Sequence, residues 1–499
     1  MKRKSRNSQS TKKRLKSSQG TTSQREIPEF SGVAQPTNQA DPEISRLEAL
    51  PPELRRHLLS ALNLEELQSL VHASPVYYQQ YVLDRKWIFA CSLEATFPGA
   101  AAEACEVYRT SSKEWFDERD EDKVEDVIED LMEKREQGDF SISEQGFEMD
   151  DLIRMASFHR NTVMPLVREY AKWALGNLAA EKESSSDGTS ETLSRVEEAR
   201  ITRAFYRFQL LCNLLGICPD DRPPSMQSIV RFRDDDILEI LHDLWEPWEC
   251  EEVLCVQTFG EVQYRRILRQ VERHIKVEEV DEDLSYLSLP LGKSKVLPFS
   301  FGMQANLLPT DEDDMEEFVI STLSRGLEHL HTAAFLIKSH AELIREMQKT
   351  MRKDLAHSFL GWWAHWDEAH WKRRINAPSA KDAREITRET FKFQGDKTID
   401  PDGIYPPLAW TILWDETYSN VYGAIVHGIR PESGLGHWGW VMWDAERVKR
   451  SCARAVIERF KGPDWGNQDP RDSMESAPSP RRQSFKPNSR SEELISDAM

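Results

Sequence analysis

The sequence predicts a mainly α-helical protein. Apolar residues recur at helical spacing, and residues typical of helix starts and ends bound many of the resulting stripes. The clearest case is the segment 193–215, where Phe205, Phe208 and Leu211 share a wide apolar face and Gly216 follows as a helix-end residue. These features favour a helical body of substantial size.

Further helices are predicted on both sides of that segment. Residues 113–137 are expected to form an exposed, highly charged helix, and residues 151–178 a helix with Pro165 near its start or at a kink. Residues 315–371 are expected to form one or two long helices. No stretch approaches the ~20 apolar residues that a membrane-spanning helix needs, so no membrane association is expected.

A first short helix is predicted near the amino terminus, at Pro51 and Pro52. Proline suits the first helical turn, because the amides of that turn have no partner within the helix. Leu54, Leu58 and Leu62 then recur every fourth residue and form one apolar stripe.

Two more short helices are predicted to follow. Asn63 can cap the second helix, with Glu66 three residues later in a pattern close to the capping box. The apolar positions of this helix are Leu64, Leu67, Leu70 and Val71. Ser74 followed by Pro75 repeats the helix-start signal. The third helix carries Tyr77, Tyr78 and Tyr81.

The order Leu-Pro-x-Glu-Leu, then Leu58-Leu59, Leu62 and an acidic-Leu pair, resembles the F-box. This helical module docks onto a Skp-type adaptor in cullin-RING ubiquitin ligases. The resemblance covers residues 44–85 and implies that nine residues form the adaptor-facing surface or its supporting core: Leu50, Pro51, Leu54, Leu58, Leu59, Leu62, Leu64, Leu67 and Leu70. Many F-boxes place an Arg-Trp pair near the third helix. Residues 74–78 stand there instead, as in the F-box-like proteins of filamentous fungi.

The same leucines also fit a different role, as the first helical hairpin of a larger α-domain that binds no partner. About 40 residues bury too little surface to fold alone, so the apolar stripes must pack on a partner or on the rest of the chain. The sequence favours a substrate adaptor, whose body selects an unknown protein substrate, over a structural or scaffolding protein with internal F-box-like helices. Solvent exposure of the leucines would favour the adaptor.

Composition divides the chain into five parts. They are a disordered basic arm (1–40), the F-box-like module (41–90), a helical body (91–375), a Trp-rich carboxyl-terminal portion packed on the body (376–461) and a disordered tail (462–499). Nine of the 15 tryptophans lie between Trp362 and Trp443, which predicts an aromatic cluster with room for short strands. Trp414 and Trp443 are expected to be structural, half-buried rings.

The charge distribution bears on the partners. The formal net charge is −20, and residues 1–25 hold nine basic and no acidic side chains, so residues 26–499 carry −29. Such a body repels nucleic acids and anionic membranes and favours basic partners. Seven cysteines and no apolar leader predict an intracellular protein. The basic clusters 2–6 and 12–16 fit either a nuclear import signal or a basic tail that no import receptor binds.

No motif nominates a catalyst, a cofactor or a metal, so the sequence predicts no enzyme. His365 and His370 are five residues apart, which on a helix turns their rings about 140° from each other and prevents both from binding one metal ion. The remaining possible metal ligands are the pairs Cys212 with Cys218 and Cys250 with Cys255. Their spacing does not suit a zinc knuckle, so they are expected to pack as small apolar groups.

Overall fold

The structure is a computed structural model that describes residues 46–137, 140–181, 192–218, 244–245, 247–285, 312–350, 406–413 and 435–460. The chain divides into two units, Met1–Ala49 and Leu50–Met499. Of the first unit only the turn at 46–49 is described. The predicted disordered arm and tail, both basic clusters, His365, His370 and Trp414 lie outside the described residues.

The second unit is mainly helical in its described residues, without a β-strand, which confirms the mainly α fold. Its α-helices are α1 (Pro52–Ser60), α2 (Leu64–Ala73), α3 (Pro75–Leu83), α4 (Arg85–Thr96), α5 (Ala101–Arg109), α6 (Lys113–Glu118), α7 (Glu121–Gln137), α8 (Met149–Phe158), α9 (Met164–Ala180), α10 (Arg195–Leu215), α11 (Pro247–Ser285), α12 (Glu312–Leu323), α13 (Leu327–His331), α14 (His340–Thr350), α15 (Leu408–Leu413), α16 (Ala445–Arg450) and α17 (Ala453–Phe460). None of these described helices is both long and apolar enough to cross a membrane.

The predicted helix starts are confirmed where the sequence placed them. Asn63 accepts hydrogen bonds from the amides of residues 65 and 66 at 3.0 and 2.9 Å, and Glu66 accepts one from the Asn63 amide at 3.1 Å, which completes a capping box. Ser74 caps α3, with Pro75 in its first turn. Pro165 lies in the first turn of α9, directly after a π-helical turn at His159–Val163.

The predicted exposed helix 113–137 is instead two helices, α6 and α7, with a break at Arg119. The Arg119 guanidinium is buried and donates to the backbone carbonyls of Asn213 and Gly216, at the end of α10. Those carbonyls lack helical partners, and a cation there also complements the helix dipole. The prediction of an exposed helix is also wrong for α7, because this helix buries Val124 and Leu131 and is therefore amphipathic.

Short strands, for which the sequence left room in the Trp-rich portion, do not occur in its described residues 406–413 and 435–460. Gly436–Trp438 form a 3₁₀ turn, and Gly439 follows it with a φ of 63°, a left-handed conformation that glycine adopts without strain. Asp444 then caps α16. The glycines and tryptophans therefore form turns and helix caps.

Helix α10 lies at the centre of the body and is buried over nearly its whole length. It packs against α5, α9 and α11, and one main core runs from Ala90 to Ile457. Cys212, Cys250 and Cys255 belong to this core, as the sequence predicts. Burial raises the pKa of the Cys212 and Cys255 thiols well above the ordinary value, so both stay protonated.

A buried ion network crosses the centre of this core. Arg203 of α10 makes a two-pronged contact with Glu252 of α11, with Nη2 at 2.9 and 3.1 Å from the two carboxylate oxygens. Arg207 donates to Glu249 at 2.6 Å and to Glu103 of α5 at 3.0 Å. A buried charge is costly unless an opposite charge accompanies it. The network is therefore favourable only when α5, α10 and α11 pack in the arrangement that brings these opposite charges together.

Arg135 of α7 closes one edge of the network. It donates to Glu103 at 2.7 Å and to Glu249 at 2.8 Å. Burial alone would raise the pKa of Glu103, but the charges of Arg207 and Arg135 hold that pKa below its ordinary value. Glu103 is therefore ionised inside the core.

Arg200 connects the same network to the Trp-rich portion. Its Nε lies 3.3 Å from a Glu252 oxygen, and its Nη1 donates to the backbone carbonyls of residues 441–443 at 3.2 to 3.3 Å. Nearby, Arg447 pairs with the buried Glu197 at 2.6 Å. Both arginines hold the carboxyl-terminal residues against α10.

Glu251, beside this network, carries a prediction of its own. Burial raises the pKa of this carboxyl from 4.5 to about 8, and Trp440 offsets the effect only in part. Between those pH values the folded chain keeps a proton that the unfolded chain has lost, so stability falls as pH rises from about 4.5 towards 8.

In the wild-type protein, Glu251 should lower the free energy of unfolding by about 3 kcal/mol as the pH rises from 5 to 7.5. We therefore expect the Glu251→Gln variant to lack this decrease. Urea unfolding at both pH values measures this change, with Glu446→Gln, whose side chain is 46% exposed, as the control. A wild-type pH dependence in the Gln variant would contradict a protonated Glu251.

Candidate protein-docking surface

Helices α1 to α3 and the first half of α4 have a small core of their own, which we call the module core. It consists of Leu59, Leu67, Val71, Tyr77 and Ile88 and is separate from the main core. Partly buried side chains pack against it: Leu58, Leu62, Leu70, Tyr81 and Trp87. The predicted leucine stripes therefore meet one another inside the module.

Helix α4 joins the module to the body. The Leu64 amide donates to Thr96 Oγ1 at 3.0 Å, and the Ser92 hydroxyl donates to the Leu59 carbonyl at 3.4 Å. Leu64 also packs against the main core rather than the module core. Hydrogen bonds and apolar contacts thus attach the module to the helical body.

The nine residues that the sequence nominated divide into three groups by burial. Leu59 and Leu67 are buried. Five leucines are partly buried: Leu50, Leu58, Leu62, Leu64 and Leu70. Pro51 and Leu54 are exposed, and Leu54 keeps 50% of its surface in contact with solvent. Most of the nine therefore support the module, and Leu54 is the one exposed leucine among them.

Helix α3 adds exposed apolar residues that are not among the nine nominated from the sequence. Tyr78, Val82 and Leu83 are exposed by 55, 52 and 79%. The signal was present, because Tyr77 and Tyr81 lie four residues apart on one face, and Tyr78 and Val82 repeat that spacing on the next. A surface helix with a second apolar face is a candidate for burial by a partner.

Helices α1 and α3 contact each other, so both present these residues on the same module. We call Leu54, Tyr78, Val82 and Leu83 the α1–α3 surface. A cation–π contact joins α1 to α4 in the same module, since the Arg56 guanidinium lies 4.0 Å from the centre of the Trp87 ring.

No group of three or more histidine, cysteine or acidic side chains among the described residues is arranged to hold a metal ion. His159 Nδ1 lies 3.2 Å from the Tyr206 hydroxyl, and burial lowers the pKa of His159 to about 4. This imidazole is therefore neutral at pH 7.

No protein-family model matches the sequence, and neither a curated protein nor a solved structure shows significant similarity to it.

Proposed function

We propose that this protein is an F-box-like substrate adaptor of a cullin-RING ubiquitin ligase. In this proposal the α1–α3 surface binds a Skp-type adaptor, which links the chain to the cullin, and the helical body selects a protein substrate. The chain itself has no catalytic role. The basic clusters 2–6 and 12–16 would direct it to the nucleus.

The observation that carries the proposal is the exposure of Leu54, Tyr78, Val82 and Leu83 on a module whose core is already filled. Folding does not require these outer residues, and burying a large apolar side chain at an interface contributes ~1.5 to 3 kcal/mol. Several such residues on two contacting helices supply the apolar centre of a protein interface. Their position on the first and third helices of the F-box-like segment favours the Skp-type adaptor.

A structural or scaffolding role is the second candidate. It is favoured by Leu64, which packs against the main core, and by the Leu64 to Thr96 hydrogen bond, both of which make the module part of the body. This role does not explain the exposed residues of α3.

We expect Leu54→Asp combined with Val82→Asp to weaken binding of a recombinant Skp-type adaptor at least about a hundredfold, because two apolar contacts are lost and two charges are desolvated. Both side chains are at least half exposed, so the variant should fold normally. Leu58 is left intact, since it packs against the module core. Titration of the full chain in a calorimeter measures the affinity.

The matched control is Ile153→Asp, an exposed apolar position on α8 with 42% of its surface in solvent. It should bind the adaptor as the wild type does. If the wild-type chain fails to bind any Skp-type adaptor, or if the double variant binds as tightly as the wild type, the adaptor assignment is wrong. The scaffolding role would then be preferred.

A further inference from the structure

A large cleft lies between the module and the body. Its lining comes mainly from α2, α9 and the first turns of α10. Its volume is about 1580 Å³, which exceeds the roughly 300 to 1,000 Å³ of a typical small-molecule site. A cleft of this size suits an extended peptide better than a metabolite.

The cleft is cationic, whereas the chain as a whole is strongly acidic. Arg160, Arg168, Lys172 and Arg195 line it and are exposed, and none of them forms an ion pair with a described residue. The acidic side chains that line it are two, Glu65 and Glu198. Among the described residues the lining therefore carries four cations against two carboxylates, in a chain whose formal charge is −20.

The backbone at one end of the cleft has an uncommon conformation. Residues His159–Val163 form a π-helical turn, and this turn places Arg160 and Asn161 side by side at the cleft with both side chains exposed. Single π-helical turns occur frequently at functional sites. His159 lines the same end but is neutral at pH 7, so the positive charge comes from the arginines and Lys172.

Apolar side chains line the cleft together with these cations. Leu64 from α2, and Met164 and Leu175 from α9, are partly exposed to it. Gly176 has no atom within 4 Å of the position that a Cβ would occupy, so the α9 wall is open at this point. A ligand with alternating carboxylates and apolar side chains would match both features.

We propose that this cleft binds an acidic peptide segment of a partner protein, with carboxylates paired to Arg160, Arg168, Lys172 and Arg195 and apolar side chains against Leu64 and Leu175. This local chemistry runs against the expectation from net charge, which favours basic partners. The assignment does not depend on adaptor binding, because the two surfaces share none of the residues that carry them. The acidic remainder of the chain disfavours nucleic acid as the occupant.

Fluorescence anisotropy of the full chain tests the proposal with two labelled peptides, one of repeated Glu-Glu-Leu units and one of repeated Gln-Gln-Leu units. We expect the Glu peptide to bind at least about tenfold more tightly and to weaken as NaCl is raised. Arg168→Glu with Lys172→Glu should weaken Glu-peptide binding about tenfold or more, since two ion pairs become repulsions. Equal affinity for the two peptides would overturn the proposal.

Two further variants separate the cleft from general charge effects. Lys113→Glu with Arg450→Glu reverses two exposed cations outside the cleft and should leave peptide affinity within about twofold of the wild type. Gly176→Trp should block the cleft and weaken binding about tenfold or more, whereas Gly176→Ala should not. A loss in the Lys113 and Arg450 variant equal to that in the cleft variant would overturn the proposal. Single-stranded DNA, added so that its negative charges match those of the peptide in concentration, should not displace the peptide. Displacement would overturn the proposal as well.

Discussion

Replacing Arg203 by Met is expected to lower the free energy of unfolding by about 3 to 5 kcal/mol, the range measured when one partner of a buried ion pair is removed. Arg203 and Glu252 are 1% and 0% exposed and share a two-pronged contact. Removing the guanidinium takes away the shortest hydrogen bonds to Glu252 and leaves this buried carboxylate with the longer contacts to Arg200 at 3.3 Å and Arg207 at 3.6 Å. Urea unfolding followed by tryptophan fluorescence measures the loss.

The double variant Arg203→Met with Glu252→Met distinguishes the charge effect from lost packing. Because it removes both buried charges, we expect it to be more stable than Arg203→Met alone. The exposed pair Arg454 and Glu458 provides a control, since Arg454→Met should cost less than about 0.5 kcal/mol. If the double variant is instead less stable than the single variant, packing rather than charge compensation explains the network.

Trp443→Ala is expected to lower the unfolding free energy by about 3 to 5 kcal/mol, a large share of the ~5 to 15 kcal/mol that stabilises a typical domain. The sequence predicts a half-buried ring, but the Trp443 side chain is fully buried and its indole N–H donates to the Trp438 carbonyl at 2.8 Å. Truncation leaves a cavity and an unpaired carbonyl next to the backbone that Arg200 holds.

Trp443→Phe is the graded control for this substitution. It keeps most of the buried ring but loses the hydrogen bond, so we expect a smaller loss than for Ala. Thermal melts and urea unfolding measure both variants. A Trp443→Ala variant that has the melting temperature of the wild type yet fails to bind a partner would show that this tryptophan belongs to a recognition surface.

Local signals in the sequence were sufficient for much of the fold. The starts at Asn63, Ser74 and Pro165 depend on side chains and backbone amides a few residues apart, and such short-range bonds form in the same way in any tertiary context. The apolar face of α10 and its end at Gly216 are of the same kind. These positions could be predicted because each signal and its consequence lie within a few residues.

Contacts between distant segments decided the remaining features of the fold. The break between α6 and α7 depends on Arg119 reaching carbonyls that follow almost 100 residues later in the chain. Two arginines of α10, Arg203 and Arg207, are buried, and only the approach of Glu103, Glu249 and Glu252 made their burial possible. No periodicity in the sequence identifies such pairings.

The candidate sites divide in the same way. The sequence by itself determined that three short helices lie within residues 52–83, two with leucine stripes and the third with tyrosines, and it drew attention to Leu54 among them. It did not determine which leucines face solvent, because an apolar side chain fits a core and an interface equally well. Tertiary structure decided that Leu59 and Leu67 are internal and that Tyr78 and Val82 are not. It also gathered four cations from α9, α10 and the π-helical turn into one cleft, since charge at a site depends on which segments meet there and net charge does not.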